Sequence, residues 1–121
     1  MKVAISTQSS DLDSLVDPRF GRAAWFVIVD SESSQWTAVD NRRTAGASGG
    51  AGVQAGTLVV DQGAEAVITG NVGPNAHKVL AAAGIEIYQA DNGTTARQAL
   101  RSLNTQELTA VEAPTVAGHW S

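Results

Sequence analysis

The second half of the chain alternates short apolar segments with helix-like segments, and this alternation constrains the fold more than any other feature. Residues 65–69 (EAVIT) and 85–88 (IEIY) are short runs typical of buried strands. Helical patterns precede, separate and follow them, over residues 53–63, 74–83 and 94–103. Strands that alternate with helices form parallel sheets with right-handed crossovers. The pattern therefore predicts parallel strands covered by helices.

The first 40 residues add three more strands. Residues 2–6 (KVAIS) have the composition of a central strand, and residues 24–30 (AWFVIVD) are rich in β-branched and aromatic side chains. Residues 35–40 alternate in polarity, which indicates a hairpin partner at the sheet edge. The order βββαβαβα predicts a three-layer α/β/α domain with a five-stranded mixed sheet and one antiparallel edge strand. Its 121 residues fit a single domain, with an irregular tail from about residue 112.

Composition limits the ligands that such a domain can hold. The chain has no cysteine, so it offers no thiolate for catalysis, for zinc or for an iron–sulfur cluster. Any metal group bound here must bring most of its own ligands. The net charge of −4 argues against a nucleic-acid partner, and no apolar run is long enough to cross a bilayer. The strand pattern begins at Lys2 without a leader, so we expect a cytoplasmic protein.

Two glycine-rich segments lie directly before predicted helices. They are residues 45–52 (AGASGGAG) and residues 70–75 (GNVGPN). Exposed backbone N–H groups and the positive end of a helix dipole together favour bound anions. Neither segment has the spacing of a Walker motif or of the dinucleotide fingerprint. The candidate binding residues in these segments are Ser48, Gly49, Gly50, Gly52, Gly70, Asn71, Gly73 and Asn75.

Positive charge is concentrated in two loops. Half of the 8 lysines and arginines lie before or after the predicted hairpin: Arg19, Arg22, Arg42 and Arg43. Arginine binds anions through its charge and its planar set of donors. His77, in the first turn of a predicted helix, is a further candidate donor, and His119 with Trp120 in the tail could close over a site. We find no arrangement of side chains typical of a catalytic centre, and we expect no enzyme.

Four segments together form a recognisable pattern: residues 1–6 (MKVAIS), residues 17–30 (DPRFGRAAWFVIVD), residues 50–88 and the closing GHW. They resemble the dinitrogenase iron–molybdenum cofactor biosynthesis family. The resemblance implies a ribonuclease H-like fold and a role in carrying or storing a cluster. The implied ligand is an anionic molybdenum-containing metal–sulfide cluster, held without covalent attachment. A molybdenum–copper sulfide cluster is favoured, and the iron–molybdenum cofactor or its precursor is the alternative. Many relatives carry additional His or Cys near the glycine loop, where this chain has Ser48.

The sequence also bears on three alternative functions. A nuclease of such a fold needs carboxylates on its first strand to hold magnesium, and residues 2–6 contain none. A flavin or nucleotide-phosphate module would use residues 6–10 (STQSS), but no helical pattern follows them. A protein-interaction module in a cytoplasmic complex stays open. We expect protein partners in a cytoplasmic assembly, neither nucleic acid nor membrane, and a monomer or weak dimer.

Overall fold

One mixed sheet forms the centre of the molecule in a computed structural model that describes residues 1–117. Its strand order is β3-β2-β1-β4-β5-β6. β1, β4 and β5 are parallel, β2 is antiparallel to β1 and β3, and β6 is antiparallel to β5. The strands are β1 (Lys2–Thr7), β2 (Trp25–Asp30), β3 (Trp36–Asp40), β4 (Ala66–Thr69), β5 (Glu86–Gln89) and β6 (Thr109–Ala110).

The prediction of five strands is wrong, because the sheet within residues 1–117 has six. The predicted antiparallel edge strand is present as β3, and β6 at the opposite edge is antiparallel to its neighbour as well. The additional strand, β6, has only two residues, and both are exposed. It forms because Ala110 pairs with Tyr88 and Thr109 pairs with Gln89. Such a segment has no periodicity of its own, and pairing with β5 alone makes it a strand.

Within residues 1–117, four helices connect the strands. They are α1 (Arg42–Ala45), α2 (Ala51–Asp61), α3 (Pro74–Ala82) and α4 (Ala96–Asn104). The single turn α1 lies within a segment predicted as loop, and α2 begins two residues earlier than expected. Pro74 occupies the first turn of α3, where a missing N–H costs nothing. Among residues 1–117, no helix combines the length and apolar character that a membrane crossing requires.

The helices lie on both faces of the sheet, which confirms the three-layer arrangement. On one face α2 and α3 contribute Val59 and Leu80 to a core that includes Phe26 of β2. On the other face α4 contributes Leu100 to a core with Ile5 of β1. That the fold is ribonuclease H-like stays a prediction.

Chain direction brings the candidate segments to a single edge. β3 runs in the same direction as β1, because both are antiparallel to β2. Consequently β1, β3, β4 and β5 all end at one edge of the sheet, called here the C-terminal edge. α2, α3 and α4 start at that edge. In open α/β sheets this is where ligands bind.

Candidate anion-binding rim

The segment of residues 17–23 crosses the C-terminal edge beside β1 and β4. The N–H of Asp17 donates to the carbonyl of Ser6 at 2.8 Å, and the N–H of Gly70 donates to the carbonyl of Asp17 at 3.3 Å. One step further, the N–H of Phe20 donates to the carbonyl of Asn71 at 3.1 Å. Residues 17–23 therefore lie directly against the second glycine-rich segment.

Gly70 is required for this close approach. A Cβ atom at position 70 would lie 2.5 Å from the Cα and 3.0 Å from the carbonyl oxygen of Pro18. Both atoms belong to the backbone, so no side-chain rotation could relieve the overlap. The glycine here serves close packing between two backbone segments, and not a positive φ angle.

The same segment also holds the first glycine-rich loop. Nη1 of Arg22 donates to the carbonyls of Ala45 and Ala47, at 3.0 and 2.5 Å. Nδ2 of the buried Asn41 donates to the carbonyl of Ala23 at 2.8 Å. Residues 17–23 thus join both glycine-rich segments, and residues 17–23, 45–52 and 70–75 together are called the rim.

Two helices start at the rim without a side-chain cap. The N-cap of α2 is Gly50, whose φ of +74° is a left-handed conformation that favours glycine, and the N-cap of α3 is Gly73. Neither helix has an acidic residue in its first turn. By contrast, α4 has a complete capping box between Thr95 and Gln98. The first-turn N–H groups of α2 and α3 therefore have no side-chain acceptor, and an anion could serve them.

The arginines near the rim are used in different ways. Arg42 forms an ion pair with Asp40 at 2.8 Å and lies 4.9 Å from the ring centroid of Trp25. Its hydrogen bonds lower the pKa of the Asp40 carboxyl to about 2. Within residues 1–117 the ion pairs are this one and Arg97–Asp13, so the exposed Arg19 and Arg43 form none.

One residue of the rim, Asp17, has a buried carboxyl, and the sequence did not identify it as a candidate. Asp17 is 7% exposed, and burial raises the pKa of its carboxyl. Its Oδ1 accepts the N–H of Arg19 at 2.8 Å, which fixes the turn of residues 17–19. The one available signal was an acidic residue before Pro18, a pattern typical of turns.

Other candidate residues have different surroundings. Ser48, Gly49 and Asn75 are exposed on the rim, whereas Gly52 is buried in the first turn of α2. The side chain of His77 lines a groove together with Ile87 and Val111, on the side of α3 that faces β5. His119 and Trp120 lie outside the described residues. Among residues 1–117 no group of three or more His, Asp or Glu is arranged to hold a metal ion.

The phosphate-loop alternative finds little support in residues 6–10. The hydroxyl of Ser6 donates to Thr69 Oγ1 at 2.8 Å, and the hydroxyl of Thr7 donates to the carbonyl of Ser9 at 2.8 Å. Both hydroxyls are thus engaged within the protein. Among the described residues, the element that follows β1 is the strand β2 and not a helix. The segment lacks the helix start that a phosphate loop of this kind uses.

Fold and rim together define a class: small α/β domains that present loops and helix starts at the C-terminal edge of a single mixed sheet. A family profile described as dinitrogenase iron-molybdenum cofactor matches residues 1–106. The chain belongs to this family, and the predicted resemblance is confirmed.

Two known structures and a sequence relative are similar to this chain. The apo form of the orange protein from Desulfovibrio gigas is 39% identical, with a TM-score of 0.91 over 95% of this chain and 96% of that chain. A putative NifB protein from Thermotoga is 34% identical, with a TM-score of 0.82 over 95% and 97%. An uncharacterised protein of Methanocaldococcus jannaschii is 30% identical over 93 residues, which is 75% of each chain.

Proposed function

We propose that this chain carries or stores an anionic molybdenum-containing metal–sulfide cluster, bound without covalent attachment at the rim. The observation that carries the proposal is the joining of two uncapped helix starts by residues 17–23. Membership in the iron–molybdenum cofactor family supports molybdenum as the metal. In this role the protein is a carrier and not an enzyme.

The chemistry of the chain favours a cluster that is already complete. With no cysteine, the protein cannot supply the thiolates on which metal–sulfur clusters usually depend. A thiomolybdate unit brings its own sulfides and a negative charge. Backbone N–H groups at the starts of α2 and α3, with the charges of Arg19 and Arg43, suit such a ligand. On this ground we favour a molybdenum–copper sulfide cluster over the iron–molybdenum cofactor or its precursor.

The four arginines and His77 have different roles in the proposal. Arg19 and Arg43 supply charge, since neither forms an ion pair within residues 1–117. Arg22 holds the first glycine-rich loop in place, and only its remaining N–H groups could face the cluster. Arg42 contributes little net charge because of Asp40. We leave His77 out of the rim because its side chain lines the groove beside β5.

The test is cluster assembly on the purified protein. The protein is mixed with tetrathiomolybdate and Cu(I), passed through a sizing column and analysed for molybdenum and copper. We expect a coloured species to elute with the protein at a fixed metal ratio. A parallel sample with tetrathiomolybdate and Fe(II) tests whether iron can take the place of copper. If neither sample retains molybdenum, the proposal is wrong.

Charge variants locate the site. Arg19→Ala and Arg43→Ala should each weaken retention about three- to tenfold at low salt, and less at high salt. Arg101→Ala is the matched control, because Arg101 is exposed in the last turn of α4, away from the C-terminal edge. Equal losses of cluster retention in all three variants would indicate that binding depends on the net charge of the protein and not on the rim.

A further inference from the structure

The outer surface of α2 carries two exposed valines among polar side chains. Its eleven residues include one charged side chain, that of Asp61 at the end. Val53 and Val60 are 43% and 36% exposed, and they are two of the five large hydrophobic side chains exposed within residues 1–117. With Thr57 they form one stripe, since residues three and four positions apart share a helix face. Two exposed valines on one helix face, next to an apolar groove, form a surface that a partner could cover.

This stripe combines a projection with a groove. α2 and α3 pack closely at their middles, where a Cβ atom on Gly56 would lie 2.9 Å from Val79. Beyond that contact a groove of about 410 Å³ is lined by Thr57, Val60, Val79, Ala82 and Ala83. Val53 projects from the other half of α2, about 10 Å from Val60 along the axis. Projection and groove therefore lie at opposite ends of one stripe.

Charges of opposite sign flank the same stripe. Gln54 and Asp61 are seven residues apart and lie on one flank of α2. The hydroxyl of Thr44 donates to Oε1 of Gln54 at 3.4 Å, so α1 and its exposed Arg43 lie at the N-terminal end of that flank. Asp61 is exposed at the C-terminal end, and within residues 1–117 neither charge forms an ion pair.

We propose that this face binds a second copy of the chain through a two-fold axis near Thr57. The two copies of α2 would then run antiparallel, and each Val53 would enter the groove of the other copy. In the cluster-free protein each Arg43 would meet Asp61 of the second copy, and the antiparallel helix dipoles would also attract each other. Shape and charge are thus self-complementary, as a two-fold interface requires. The contact is small, so the dimer is weak, with a dissociation constant on the order of 100 μM.

Sedimentation velocity on the cluster-free protein, from about 10 μM to 1 mM, tests the dimer. We expect reversible dimerisation, and Val53→Glu should raise the dissociation constant at least tenfold, about 1.4 kcal/mol. Trp36→Lys is the matched control, because Trp36 is another exposed large hydrophobic residue, on the edge strand β3. A monomer throughout would overturn the proposal, as would dissociation by Trp36→Lys and not by Val53→Glu.

A charge exchange tests the two-fold arrangement itself. Arg43→Glu and Asp61→Arg should each weaken the dimer about fivefold, since each change affects two symmetric contacts. The dissociation constant of the double variant should lie within about twofold of that of the wild-type dimer. Both positions are exposed, and circular dichroism checks that each variant folds. A double variant no better than the singles would refute this packing, whatever the outcome of the cluster experiments.

Discussion

Replacing Gly70 by alanine would test the connection on which the rim depends. The new Cβ atom would lie 2.5 Å from the Cα of Pro18, whereas carbon atoms in contact prefer 3.5–4.0 Å. The two backbone segments must therefore separate by about 1 Å. That movement strains the hydrogen bonds from Gly70 to Asp17 and from Phe20 to Asn71. Overpacking of this kind costs about 1–3 kcal/mol.

The assay combines thermal unfolding with the cluster experiment. For a domain of this size, about 2 kcal/mol lowers Tm by roughly 6–10 °C. We also expect Gly70→Ala to retain less molybdenum at temperatures where it is fully folded. Gly56→Ala is the control, since its Cβ would meet the side chain of Val79 and would disturb α2–α3 packing away from the rim. Wild-type Tm and wild-type retention in Gly70→Ala would refute the reasoning.

Three further predictions concern Asp17, Asp40 and Thr95. Burial raises the pKa of Asp17, so the folded protein holds this proton more tightly and loses stability as pH rises through the raised pKa. Asp17→Asn keeps an acceptor for the N–H of Arg19. Chemical denaturation should show that this variant has a larger free energy of unfolding than the wild type at pH 7, and that the difference disappears below about pH 4. Asp40→Asn frees Arg42 from its ion pair, and titration with tetrathiomolybdate and Cu(I) should show about twofold tighter uptake. Thr95→Ala removes the cap of α4, which costs about 1 kcal/mol in urea denaturation and leaves cluster retention unchanged.

Much of the fold could be predicted because its signals are local. Short apolar runs in the sequence predict β1, β2, β4 and β5, and Pro74 indicates the start of α3. β6 could not be predicted, since two exposed residues carry no pattern and depend on β5 for every ladder hydrogen bond. α1 is one turn within a glycine- and alanine-rich loop, too short for periodicity to reveal.

The candidate site was predicted in outline and corrected in detail. The sequence placed four arginines in two loops, but it did not show the partner of each one. Arg42 forms an ion pair with Asp40, two residues away, whereas Arg22 donates to carbonyls more than 20 residues away. The buried Asp17 and Asn41 had no sequence signal for their burial, which arises only when residues 17–23 pack between the two glycine-rich segments.

By itself, the sequence determined that a metal–sulfide cluster held here must arrive with its own sulfur ligands, because a chain without thiols cannot provide them. It also determined the order of β1 to β5 and of α2 to α4, since periodicity needs only neighbouring residues. Tertiary structure alone decided that the two glycine-rich segments form one rim. That outcome rests on contacts such as Asp17–Gly70, which are 53 residues apart and exist only once β1 and β4 pair.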